Sequence, residues 1–119
     1  MRENIVKNKS FQFALSAIEL YKKMIQSNEY VLSKQLLKSA TSIGSNIEEA
    51  DAGISKKDFT AKMSIASKEA RESLYWIKLL EHSKLVEYNY EAPRTDCQES
   101  IRLLTSIVKT SQKILNTKH

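Results

Sequence analysis

Two histidines and one cysteine are the rarest reactive side chains in this 119-residue sequence, and each would have to carry chemistry almost alone. A carboxylate-bridged di-metal centre in a helical core draws a Glu from each of two helices and a Glu-x-x-His pair from each of two others. Here the residue three before His82 is Leu79, and His119 is the final residue, so that ligand pattern is absent. His82 reads as a partly exposed residue in the last turn of a helix, where the dipole favours a cation. Cys97 has no histidine near it in sequence and falls at a polar helix start, which predicts a half-buried, inert thiol. No phosphate-binding glycine loop and no nucleophile elbow occurs. Asp51, Asp58 and Asp96 fall at or near expected helix ends, where capping or the helix dipole explains them. The sequence predicts no enzyme, no cofactor and no metal site.

A second group is polar and spans two expected helices. Asn46 precedes Ile47 on a packed helix face, with Glu49 one turn on, while Glu69 and Glu72 flank Ala70 on the next helix. If the helices approach closely, the Asn46 amide can donate to one of these carboxylates. Such buried contacts fix the alignment of a bundle, and the competing reading is a site for a cationic group.

The third group is basic. Nineteen Lys and Arg against fourteen Asp and Glu give a formal charge of +5, which suits contact with nucleic acid or an acidic protein. Lys34, Lys38, Lys56, Lys57, Lys62 and Arg71 are the candidates for phosphate contact, and Lys56-Lys57 adds its charge to a helix N-terminus. Helix four contributes Arg102, Lys109 and Lys113 to the same overall excess. Interspersed acids such as Glu19, Glu48 and Glu81 make many of these bases an ordinary solvated face. No base-reading module is present, so binding would rest on phosphates and fall steeply with salt.

The elements that position these groups are helices. Two Gly and one Pro in the whole chain leave little room for turns. Helices are expected over 9–26, 29–52, 56–84 and 93–116, in one domain spanning 1–119. On the first, Phe11, Ala14, Ile18, Tyr21 and Ile25 form one apolar stripe, and Phe13, Ala17, Leu20 and Met24 form a second beside it. On the second, Leu36, Ala40, Ile43, Ile47 and Ala50 share a face crowded by Ser39, Ser42, Gly44 and Ser45. A helical glycine costs roughly 1 kcal/mol against alanine, which predicts a very close neighbour at Gly44. Gly53 is expected to close that helix in the left-handed conformation, and Ser55 with Asp58 to cap the next.

Phe59, Met63, Ala66, Ala70, Ser73, Ile77 and Leu80 alternate by four and three along the third helix, a spacing that suits coiled-coil-like packing. The run from Leu74 to Leu80 is apolar almost all round, so Trp76 and Leu79 should face a third neighbour or another subunit. The segment from Val86 to Ala92 reads as a polar connection, followed by Pro93 and a Thr95/Gln98 cap. The last helix should bury Ile101, Leu104, Val108, Ser111 and Leu115. Short connections force consecutive helices antiparallel, so the expected fold is an all-α, up-down-up-down four-helix bundle. No apolar run approaches the ~20 residues of a membrane span. The amino terminus lacks an apolar signal region, and the single cysteine suits a reducing cytoplasm.

The residues that carry this reading also resemble a family. Gln35-Leu36, Ser39-Ala40, Ser42-Ile43-Gly44, Asn46-Ile47, Glu49-Ala50, the serine-led start at Asp58-Phe59, and Ile65 to Glu72 leading into Tyr75-Trp76 are similar to bacterial 23S ribosomal RNA intervening-sequence proteins. The likeness covers roughly 11–85, with helix four agreeing by pattern. It departs at Asp51-Ala52, where many members place a glycine directly after the glutamate-alanine or glutamate pair, a role expected here of Gly53. The resemblance implies an antiparallel bundle, assembly into a homo-oligomeric ring (pentamers occur), and no enzymatic activity. A related group binds reverse transcriptase and nucleic acid as an accessory protein. Together these readings predict a non-enzymatic oligomer that binds RNA or a ribonucleoprotein through charge. The alternative is an adaptor engaging an acidic protein.

Overall fold

The computed structural model describes residues 2–117, which form α1 (Arg2–Gln26), α2 (Leu32–Asp51), α3 (Lys56–Ser83) and α4 (Glu91–Thr117). His119, weighed above as a metal ligand, lies outside the described residues. The fold measures 53 × 22 × 22 Å, as expected of four long helices lying side by side. Cross-helix contacts run in opposite order along each pair: Ser39 meets Ser73 while Glu49 meets Lys62, and Cys97 meets Ala70 while Ser111 meets Thr60. Neighbours in sequence are therefore antiparallel, and α1 closes the ring against α4. This is the up-down-up-down bundle.

The four-three stripes make the core. Phe13, Ala17, Leu20 and Met24 of α1 pack with Leu36, Ala40, Ile43, Ile47 and Ala50 of α2 and with Met63, Ala66, Ala70, Ile77 and Leu80 of α3. Where helices need room, hydroxyls replace methyls. Ser10, Ser33, Ser39, Thr60 and Ser73 are buried, and each hydroxyl lies within hydrogen-bond reach of a carbonyl of its own chain three or four residues back. That local bond satisfies the hydroxyl without a partner helix. Ser39 and Ser73 also meet each other at 2.8 Å across the α2–α3 seam. Ser100 Oγ is buried with no partner among the described residues.

Several boundaries differ from expectation, each for a local reason. α1 begins at Arg2, not near 9, because Val6 extends the buried stripe by two turns. Lys7 pairs with Glu48 and Asp51, and Lys9 pairs with Glu99 at 2.9 Å, which fastens that first stretch to α2 and α4. α2 starts at Leu32 rather than 29. The Glu29 carboxylate folds forward to accept the N–H groups of Val31, Leu32 and Ser33, so 29–31 act as a lead-in. Asn28 takes the left-handed backbone of the preceding turn at φ 64°, a conformation asparagine tolerates.

Gly53 is not left-handed. Its neighbour Ala52 closes α2 with a right-handed backbone, and Gly53 matters by size, since a Cβ there would lie 3.0 Å from the Ala50 carbonyl. At Gly44 a Cβ would meet only Ser10 Oγ at 3.6 Å, an ordinary contact, so no close helix within this chain requires the glycine. Ser55 caps α3 by accepting from the Asp58 N–H at 3.0 Å. α4 begins at Glu91, whose N–H is taken by Asn89, leaving Thr95 and Gln98 inside the helix. Its buried face is Pro93, Cys97, Ser100, Leu104, Ile107 and Ser111; Ile101, Val108 and Leu115 flank it half-buried.

The Val86–Ala92 connection is not a polar strap. Val86 and Tyr90 are buried, and Tyr90 Oη donates back to the Val86 carbonyl at 2.8 Å. Burial pushes the Tyr90 phenol up to about 12.

Candidate nucleic-acid interface

Residues seven apart on a helix return to nearly the same face, because two turns take 7.2 residues. On α3 that rule aligns Lys57, Ser64, Arg71 and Lys78 along one edge. On α4 it aligns Gln98, Thr105 and Gln112, with Arg102 and Lys109 one turn outward and Lys113 beyond them. The two edges meet. Arg71 Nη2 donates to Thr105 Oγ1 at 3.0 Å, and Arg71, Leu74, Gln98, Ile101 and Arg102 line an open groove of about 530 Å³. Further along, Lys57 and Ser64 share a second groove with Gln112 and Asn116. From Lys57 to Lys78 the seam runs about 30 Å at 1.5 Å per residue.

None of these cations forms a salt bridge among the described residues; the ion pairs instead hold Lys7, Lys9, Lys22, Lys62 and Arg94. The acids of α3 point elsewhere. Glu81 grips Arg94 at 2.8 Å, Asp58 sits in the first turn, and Glu69 and Glu72 turn toward α2. On α4 the last acid is Glu99, whose carboxyl is held below the usual range chiefly by its bond to Lys9 and, more weakly, by the charge of Arg102. The seam is thus a line of positive charge outside any salt bridge among the described residues, with hydroxyl and amide donors between the cations, an arrangement suited to a phosphate backbone.

The six basic residues chosen from sequence do not come together. Lys57 and Arg71 lie on the seam. Lys56 stands 5.4 Å over the Phe59 ring, and Lys62 is held by Glu49 at 3.0 Å. Lys34 and Lys38 are exposed on the first half of α2, and the antiparallel turn places them at the opposite end from the start of α3. Lys78, Arg102, Lys109 and Lys113 were not among the six. The absence of any acid after Glu99 and the seven-residue spacing of Lys57, Arg71 and Lys78 are the signals that find them.

The polar group also differs in wiring. Asn46 does not reach a carboxylate; its Nδ2 donates to the carbonyl and hydroxyl of Ser42 at 2.9 and 3.1 Å, one turn back on its own helix. The Ser42 hydroxyl and the Glu72 carboxyl both act on the Glu69 carboxyl. Burial first, and then the neighbouring Glu72 carboxyl, push the Glu69 pKa above its ordinary value. Glu49 lies outside this chain of bonds, on Lys62. Trp76 lines the same small recess of about 220 Å³ with Gln35, Lys38, Ser39, Glu69 and Glu72. Trp76 and Leu79 are both half-buried.

Of the remaining chemistry-bearing residues, His82 is exposed in the last turn of α3 with Nδ1 beside the Lys78 carbonyl at 3.0 Å. Cys97 is fully buried, not half-buried, because α4 starts six residues earlier and turns it inward, where Sγ donates to the Ala70 carbonyl. Burial pushes its thiol up to about 12, so almost no thiolate forms near neutrality. Among the described residues no three His, Cys, Asp or Glu side chains gather as metal ligands. No described helix is long and apolar enough to cross a membrane.

These features define a class: an elongated antiparallel helical bundle whose distinctive surface is a cationic seam rather than a deep cleft. The chain belongs to the 23S rRNA-intervening sequence protein family, which matches over residues 2–106. Its fold is similar to the crystal structure of a protein of unknown function from the S23 ribosomal protein family of Bacteroides thetaiotaomicron. The two chains are 44% identical, with 92% of this chain and 99% of that one covered and a TM-score of 0.87. No protein of curated function matches the sequence. Lys109 and Lys113 fall past residue 106, outside the family match.

Proposed function

We propose that this protein is a non-enzymatic, homo-oligomeric bundle that binds RNA, alone or within a ribonucleoprotein, along the α3–α4 seam. The observation that carries the reading is the alignment of Lys57, Arg71 and Lys78 on α3 beside Arg102 and Lys109 on α4, with no salt-bridge partner among the described residues. Unpaired surface cations repel one another, and a polyanion relieves that repulsion while releasing its own counterions. Self-association is supported by α1, whose outward stripe of Phe11, Leu15 and Ile18 is 61%, 45% and 36% exposed. Several copies would set several seams side by side and raise the apparent affinity by multivalency. A cytoplasmic location goes with this reading.

The test is titration of a labelled structured RNA at several salt concentrations. The expected result is a logarithmic affinity that falls linearly with log salt, with a slope reduced by about one for each seam cation changed to alanine. Absence of binding at low salt would discard the nucleic-acid reading and favour an acidic protein as the partner of the same face.

A further inference from the structure

Tyr75 stands on the outer surface of α3 one turn from Arg71 on one side and from Lys78 on the other. It is 57% exposed, which leaves much of an aromatic ring in water on a largely cationic edge. The ring is oriented: Trp76 packs against it edge-on, with centroids 5.3 Å apart and planes at 65°. Trp76 is half-buried against the core, so one side of Tyr75 is braced by a fixed neighbour and its remaining surface is open. Glu72 and Leu79 flank Tyr75 toward α2, where Glu72 is engaged with Glu69.

We infer that Tyr75 is a stacking platform for an unpaired nucleobase, and that the seam therefore prefers RNA with single-stranded nucleotides over a continuous duplex. This rests on the nucleic-acid reading of the same seam. In a duplex every base face is covered, and an exposed ring beside phosphate-binding cations gains nothing from it. In a loop, bulge or free end the bases can splay out and stack on an aromatic side chain while Arg71 and Lys78 hold the adjoining phosphates. The other strongly exposed aromatic residues lack this setting. Tyr30 bonds Asn28 and follows Glu29 at the α1–α2 turn, and the one cation a turn from Phe11, Lys7, is taken up by Glu48 and Asp51.

The experiment compares a labelled oligouridylate with a blunt RNA duplex of equal length, using the full chain and the variants Tyr75→Leu, Tyr75→Phe and Arg71→Ala/Lys78→Ala. Tyr75→Leu should weaken oligouridylate binding about tenfold while leaving duplex binding and the salt slope unchanged. Tyr75→Phe should restore most of the loss, since it keeps the ring. The charge variant should weaken both ligands and lower the slope. Circular dichroism and thermal melting of each variant exclude a folding defect. Unchanged oligouridylate affinity in Tyr75→Leu, with the charge variant still impaired, overturns the stacking inference and leaves the seam intact. If neither variant alters binding of either RNA, the seam reading itself falls.

Discussion

α1 and the α3–α4 seam are both exposed edges of one bundle, yet they are built from opposite materials. α1 carries an apolar stripe inward through Phe13, Leu20 and Met24 and another outward through Phe11, Leu15 and Ile18. Its charges near the amino end are spent on neighbours, with Lys7 on Glu48 and Asp51 and Lys9 on Glu99. The seam keeps its cations out of salt bridges among the described residues and separates them with Ser64, Thr105 and Gln112. Uncovered apolar area is satisfied by another apolar surface, whereas a row of unpaired cations is satisfied by a polyanion. One protein can therefore use one edge for copies of itself and another for a different molecule.

The sharpest way to break that contrast is on α1. Phe13→Ala should destabilise the fold by about 3–5 kcal/mol, since it empties a fully packed position. Phe11→Ala, two residues away, should shift chain stability by no more than about 0.5 kcal/mol and act instead on assembly. Denaturant melts and sedimentation velocity measure the two effects separately. Equal losses of stability would mean that α1 does not have two distinct faces.

On the seam, the triple change Arg71→Ala, Arg102→Ala and Lys109→Ala should leave helicity unchanged and lower the salt slope of RNA binding by about three. A smaller effect is expected from Gly44→Ala, which should raise stability by about 0.5–1 kcal/mol because the new methyl meets only Ser10 Oγ. If that variant instead breaks up an oligomer, the glycine serves a neighbour outside the chain. The smallest effect concerns pH. The Glu69 pKa is raised in the folded protein, so the proton-bound form is the one folding favours, and the associated stability is lost as pH rises from near 4.5 through the folded pKa. Glu69→Gln should therefore gain a little on the wild type between about pH 4 and pH 7, measured as paired urea midpoints. A gain present equally at both values would point to packing rather than to the proton.

The core was legible because packing writes itself into sequence as spacing. Leu36 to Ala50 and Met63 to Leu80 are buried where their four-three alternation puts them. The start of α3 was legible for a different reason, since Ser55 can bond the Asp58 N–H without help from the rest of the fold. What spacing could not convey was competition between elements. On α4 two apolar registers overlap, and Cys97, Ser100 and Ile107 took the inside only once α3 supplied the facing holes. The seam was half legible. Lys57 and Arg71 stood out by charge, but the partners that complete it lie on α4, and no one-dimensional pattern reports which helix a cation will face. Lys34 and Lys38 misled for the mirror reason: Lys38 sits at the level of Glu72 and Trp76, but on the α2 side of α3 and away from α4.

The three connections differ in what they will tolerate. Around Ile54, which is 96% exposed, every residue from 51 to 58 lies open to solvent. The link before α4 instead plugs Val86 and Tyr90 into the hydrophobic interior. A protease should nick the folded chain first near Ile54, and an affinity tag or a new pair of chain ends should be accepted there. The same insertion at Val86–Tyr90 would pull a stopper out of one end of the bundle.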